Sequence, residues 1–86
     1  MKAENLKSRI IRRALTLSIP KQRIVYSYVH TLLFYRKLRG EGLKDLPMDR
    51  PAPGKIVEVM SGMLDQATIR ELICILKFTS SVRKNM

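Results

Sequence analysis

Eighty-six residues with 45% hydrophobic content, 17 Lys and Arg, and 7 Asp and Glu give a formal net charge of +10, and a chain of this length holds one domain with no room for a second. The apolar share excludes a disordered tail, and no stretch approaches the roughly 18 consecutive apolar residues of a membrane span. So short a chain buries only about 60% of its unfolded surface, so a thin core is expected, with some apolar surface covered by a second copy.

The charge is placed unevenly. Residues 1–39 carry ten basic groups against one acid, Glu4, a net +9, whereas residues 40–86 carry seven against six, a net +1. Such asymmetry favours a polyanionic partner: nucleic acid, an acidic protein face or an anionic membrane surface. It divides the single domain into a basic half (1–39), a Gly- and Pro-rich connection (40–54) and a near-neutral helical half (55–86).

From Ala3 to Leu17 the apolar residues Leu6, Ile10, Ala14 and Leu17 recur at +4, +4 and +3, one face of an amphipathic helix. Lys2, Arg9, Arg12 and Arg13 gather on the opposite face, free of core packing, while Lys7 falls among the apolar positions and must reach outward. The N-terminus has no signal-peptide core, because Lys7, Arg9, Arg12 and Arg13 interrupt every apolar stretch. Its basic amphipathic pattern is also that of a transit peptide or a membrane-surface helix, with Glu4 and the scarcity of serine against the former.

Ser18-Ile19-Pro20 breaks the pattern, and Pro in a first turn starts a second helix from about Pro20 to Arg39, closed by Gly40. Its apolar residues, Ile24 through Leu38, point almost all round, which suits the centre of a bundle or a dimer seam. The β-rich stretch Ile24–Val29 lies within this long helical run. Residues 40–54 contain three of the four Gly and three of the four Pro. Fifteen residues are long for a structureless loop in a small domain, so Leu43, Leu46 and Met48 are expected to pin it to the core. A short helix from Lys55 to about Met63 turns Ile56, Val59, Met60 and Met63 inward. The last begins at Asp65 or at Thr68, with Glu71 as capping-box partner, and runs to about Val82 with Ile69, Leu72, Ile73, Ile75 and Leu76 buried. Arg83–Met86 should fray. Cys74, the single cysteine, sits among Leu72, Ile73, Ile75 and Leu76, a setting for a buried, inert thiol. It excludes an internal disulfide and fits a reducing compartment.

Catalytic and metal signatures are missing. His30 stands alone, without the Cys, His or carboxylate spacing of a metal site. Of Asp45, Asp49, Asp65, Glu58 and Glu71, most fall in the loop or at helix caps, where solvation explains them, and Ser61-Gly62 lacks the pattern of a nucleophile elbow. Gly40-Glu41-Gly42 and Gly54-Lys55 read as turns and not as phosphate loops. No enzyme activity, metal or cofactor is expected.

Two segments bear on recognition. Taking Gly62 as the turn glycine of a lengthened helix-turn-helix, Gln66 and Arg70 become candidate base-reading residues. Phe34-Tyr35-Arg36-Lys37-Leu38-Arg39 mixes aromatic and basic residues as single-strand binders do. Its Phe34-Tyr35-Arg36 also resembles the Leu-Tyr-Arg motif of small basic mitochondrial assembly proteins, with Phe34 in place of Leu and the motif far into the chain; three residues carry no site across.

The expectation is therefore an all-α bundle of three to four helices, forming a homodimer through the second or fourth helix and acting in the cytoplasm. Its expected role is that of a non-enzymatic nucleic-acid-binding regulator of transcription, on DNA before RNA, contacting phosphates through Lys2, Arg9, Arg12, Arg13, Arg36, Lys37 and Arg39. The alternative is a protein–protein module, an adaptor or inhibitor docking on an acidic or apolar surface.

Overall fold

The spacing of Leu6, Ile10 and Ala14 becomes the buried stripe of the first helix in a computed structural model that describes residues 3–44 and 46–85. In chain order α1 spans Ala3–Leu15, α2 Ile19–Leu38, α3 Ile56–Leu64 and α4 Ile69–Asn85, with a 3₁₀ turn at Pro53–Lys55 leading into α3. No described residue is in a strand, and Ile24–Val29 is helical. No described helix is long and apolar enough to cross a membrane.

The helix ends explain how the chain turns. The last turn of α1 tightens, with the Thr16 N–H donating to the Arg13 carbonyl and the Leu17 N–H to that of Ala14, both at 3.1 Å. Buried Gln22 then reaches back from α2, its Nε2 donating to the carbonyls of Ala14 (3.0 Å) and Leu17 (3.3 Å). Carbonyls at a helix end have no partner within the helix, so one amide closes α1 and sets the angle at which α2 leaves. At the other end of α2, Gly40 adopts φ +79°, its N–H donating to the Lys37 carbonyl (3.0 Å) and that of Glu41 to the Arg36 carbonyl (3.4 Å). This is a Schellman closure, which needs the left-handed conformation that glycine adopts without strain.

Packing is concentrated in three helix pairs. α1 lies mainly on α4, and α2 is wedged between α3 and α4. The core takes Leu6, Ile10 and Ala14 from α1; Val25, Val29 and Leu33 from α2; Ile56, Met60, Met63 and Leu64 from α3; and Leu72, Ile75 and Val82 from α4. Tyr28 of α2 stacks on Phe78 of α4 with centroids 4.1 Å apart and planes 8° from parallel. The Cα radius of gyration is 12.1 Å, and a self-contained globule of this length is expected at about 12 Å. The all-round apolarity of α2 is thus absorbed largely within one chain: α3, α4, Leu43, Leu46 and the 47–51 segment cover much of it.

Several expectations need correction. Leu46 is buried and Leu43 packs against the core, but Met48 is 88% exposed. Polar contacts hold this part of the connection instead: Arg23 Nη1 donates to the Pro51 carbonyl (3.1 Å), and His30 Nε2 lies 2.9 Å from the Pro47 carbonyl. α4 does not fray after Val82 but continues to Asn85, because Val82 is itself buried and anchors the last turn. Ile69, Ile73 and Cys74, expected inside, are exposed. α1 and α2 both pack on the side of α4 that carries Leu72, Ile75, Thr79 and Val82, so no layer covers its outer face.

Thr68 and Glu71 form the expected capping box: the Thr68 N–H donates to Glu71 Oε1 (2.9 Å) and the Glu71 N–H to Thr68 Oγ1 (3.1 Å). The same Glu71 oxygen accepts from Arg36 Nη1 at 2.8 Å. Arg36 Nη1 also donates to the Gln66 carbonyl at 3.0 Å, and Gln66 Oε1 accepts the Lys44 N–H at 2.7 Å. The Arg36 and Glu71 side chains are each 15% exposed, and removing one member of a buried pair strands the other charge. Glu71→Ala is therefore expected to cost about 3 kcal/mol, the low end for a buried pair because some solvent reaches it. Arg39→Ala, at an exposed pair with Glu41, should stay within about 0.5 kcal/mol. Urea titrations followed by circular dichroism measure both.

Candidate nucleic-acid interface

α1 and α4 share an open groove of about 310 Å³ lined by Arg9, Arg12, Arg13, Thr16 and Arg83. A second hollow, lined by Asn5, Ser8, Arg9 and Arg12, continues it toward the start of α1. The helical repeat produces this row: residues three and four apart share a face, so positions 5, 8, 9, 12 and 16 run along one side of α1. Arg83 joins from α4 because that helix keeps its final turn. None of these lining residues is acidic. A concave surface with one sign of charge focuses the field into the groove, and each planar guanidinium presents a fork of donors that matches a phosphate.

The expected site residues separate into different groups. Lys2 lies outside the described residues. Arg9 and Arg12 are exposed on the groove. Arg13 lines it too, but is half-buried and does not project freely as expected. Its Nη1 donates to the Leu76 carbonyl at 3.2 Å and to Ser80 Oγ, so it fastens α1 to α4. The helical wheel places position 13 between the core stripe and the outer face, where the neighbouring helix meets it. Lys7 reaches outward as expected and pairs with Asp65 at the end of α3.

The second basic cluster does not form a free cationic helix end. The Arg36 guanidinium is held inside by Glu71 and the Gln66 carbonyl, with its Nε 3.8 Å from Glu41. Lys37 is half-buried, and exposed Arg39 donates through Nε to Glu41 at 3.2 Å. Glu41, just past the Schellman closure, thus offsets the charge gathered at the end of α2. Phe34 and Tyr35 stay exposed beside it.

The helix-turn-helix expectation does not survive. Gly62 lies within α3, and the connection to α4 runs from Asp65 to Thr68. α3 packs chiefly on α2 and α1 instead of forming a hairpin with α4. Gln66 is committed through both its side chain and its carbonyl, whereas Arg70 is exposed on the first turn of α4. Arg83 and Thr16 are the groove residues that sequence reasoning missed. The buried spacing Leu72, Ile75, Thr79, Val82 was the available signal, since carrying that stripe through Val82 extends α4 to Arg83.

No protein-family model, curated protein or solved structure matches the chain.

The two roles within the groove are separable. Arg13→Ala is expected to destabilise the fold by roughly 1.5 kcal/mol, the lower end for hydrogen bonds made by a charged group. Arg12→Ala is expected to change stability by less than about 0.5 kcal/mol, as for an exposed surface position. Thermal and urea unfolding of the two single variants provide the comparison.

Proposed function

We propose that the chain is a small, non-enzymatic nucleic-acid-binding regulatory protein that holds the phosphate backbone in the α1–α4 groove. One observation carries this reading: four arginines drawn from two helices line one open groove with no acidic residue among its lining residues. Like charges gathered so closely repel one another, and a polyanion relieves that repulsion while releasing its own counterions. Arg9 to Thr16 spans about 10 Å of helix axis at roughly 1.5 Å per residue. A nucleic-acid strand places a phosphate about every 3.4 Å along its duplex axis, so the groove accommodates a few phosphates. Contacts of this kind position a protein without reading bases, and with the helix-turn-helix geometry absent the binding is sequence-tolerant. Duplex DNA is the favoured polyanion and the cytoplasm the favoured compartment, the latter in keeping with a single thiol.

A homodimer is the favoured form. Phe34, Tyr35 and Leu38 are exposed at the end of α2, Ile69 and Ile73 on α4, and the Arg36–Glu71 pair ties the end of α2 to the start of α4. An apolar surface rimmed by charge marks an association site. Sedimentation equilibrium at micromolar concentration should give twice the chain mass, and a mass near 9.9 kDa at every concentration overturns the dimer.

The nucleic-acid reading is tested by salt. Wild-type protein should bind duplex DNA with log-linear salt dependence, and Arg9→Ala, Arg12→Ala and Arg83→Ala should each shallow the slope by about 0.9. The loss should be similar for unrelated sequences. Fluorescence anisotropy over a salt series measures it. Absent or salt-indifferent binding, or unchanged slopes in all three variants, leaves the protein-docking module as the reading to pursue.

A further inference from the structure

On α2, the 47–51 segment closes over a face that the nucleic-acid reading leaves unused. It is fastened at both ends, by the Arg23–Pro51 and His30–Pro47 hydrogen bonds. Between it and the helix lies a cleft of about 350 Å³, within the roughly 300–1,000 Å³ range of small-molecule sites. It continues toward the start of α2 into an adjoining hollow, Arg23, Ser27 and Arg50 lining both.

The Tyr26 hydroxyl is sealed from solvent and has no hydrogen-bond partner, although buried tyrosine hydroxyls normally find one. Burial also pushes its phenol above the ordinary value, so the group stays a donor. Tyr26 lines the cleft without exposing its hydroxyl to it, beside Ser27 and Thr31 one helical turn apart, Arg23, Arg50 and Asp49. Two cations, two hydroxyls and one acceptor suit a ligand with an anionic end and a hydroxylated body.

We infer that the cleft between α2 and the 47–51 segment binds a small organic phosphate monoester, Arg23 and Arg50 holding the phosphate and Ser27, Thr31 and Asp49 addressing the hydroxylated body. A guanidinium pair fits the oxygens of a terminal phosphate better than a single carboxylate, since each planar fork takes two of them. Asp49 would repel a bare anion, yet it accepts hydrogen bonds from ligand hydroxyls, so inorganic phosphate is the poorer ligand. Arg23 already donates to the Pro51 carbonyl, which fixes its guanidinium at the wall. Arg50 is exposed and closes on the phosphate from the other side. The site is separate from the α1–α4 groove and does not depend on the nucleic-acid reading.

The test is a heteronuclear NMR titration of the full chain with ribose 5-phosphate, with ribose and inorganic phosphate as separate arms. Saturable shifts are expected at Arg23, Ser27, Thr31, Asp49 and Arg50, with ribose 5-phosphate binding about tenfold or more tighter than either arm. Arg50→Ala should weaken binding about tenfold. Thr31→Val should weaken it several-fold while leaving the melting temperature of the ligand-free protein unchanged, because Thr31 is exposed on the cleft wall. Shifts confined to Arg9, Arg12 and Arg83, no saturation below about 10 mM, equal affinity for inorganic phosphate, or an unaffected Arg50→Ala variant would each overturn the inference. So would a Thr31→Val variant that binds as tightly as wild type.

Discussion

Arg36 and Glu71 meet where four parts of the chain converge, and the arrangement of the bundle depends on that meeting. Arg36 ends α2, Glu71 completes the first turn of α4, Gln66 belongs to the connection between α3 and α4, and Lys44 to the segment that returns across the bundle. Glu71 Oε1 accepts from both Arg36 and the Thr68 N–H, and Gln66 Oε1 from the Lys44 N–H. A core this thin has few apolar contacts with which to orient four helices. A largely buried ion pair offers direction that apolar packing does not, since a misplaced charge there would be left unpaired at a cost of about 3 kcal/mol.

The basic residues therefore do two kinds of work. Arg13, Arg23 and Arg36 each spend their donors on backbone carbonyls or side chains of another element, which makes them parts of the scaffold. Long side chains with five donors are suited to this, because they span gaps that the short apolar side chains of a small core leave open. Arg9, Arg12 and Arg83 line an open groove, and charge is concentrated there. A net charge of +10 on 86 residues opposes compaction through self-repulsion. Pairing part of it internally lowers that cost while leaving a directed field on one side.

α2 illustrates how one helix supports several surfaces. Val25, Val29 and Leu33 fill the core, Tyr28 meets Phe78, and the positions between them face either the 47–51 segment or solvent. Tyr26, His30 and Phe34, four residues apart, align their rings along that second face, with centroids 6.0 and 6.1 Å apart in succession. The returning segment does not fill this face with apolar side chains, since Met48 points into solvent. A polar-lined cleft results where a hydrophobic seam was expected.

Much of this molecule was legible in the linear sequence. Four helices, Gly40 as the stop of α2, the Thr68–Glu71 box and the basic row of Arg9 and Arg12 all follow from local rules: a periodicity near 3.6, a left-handed conformation that glycine tolerates, and reciprocal hydrogen bonds three residues apart. Those rules act within a few residues, so no partner from elsewhere in the chain is needed to apply them. The exposure of Ile69, Ile73 and Cys74 was not legible, because it depends on α1 and α2 both choosing the same side of α4. Nor was the conversion of Arg13 and Arg36 from surface cations into ties, since their partners lie 63 and 35 residues away in the chain. Whether a charge faces solvent or another helix is decided by which faces pack, and only the tertiary structure makes that choice.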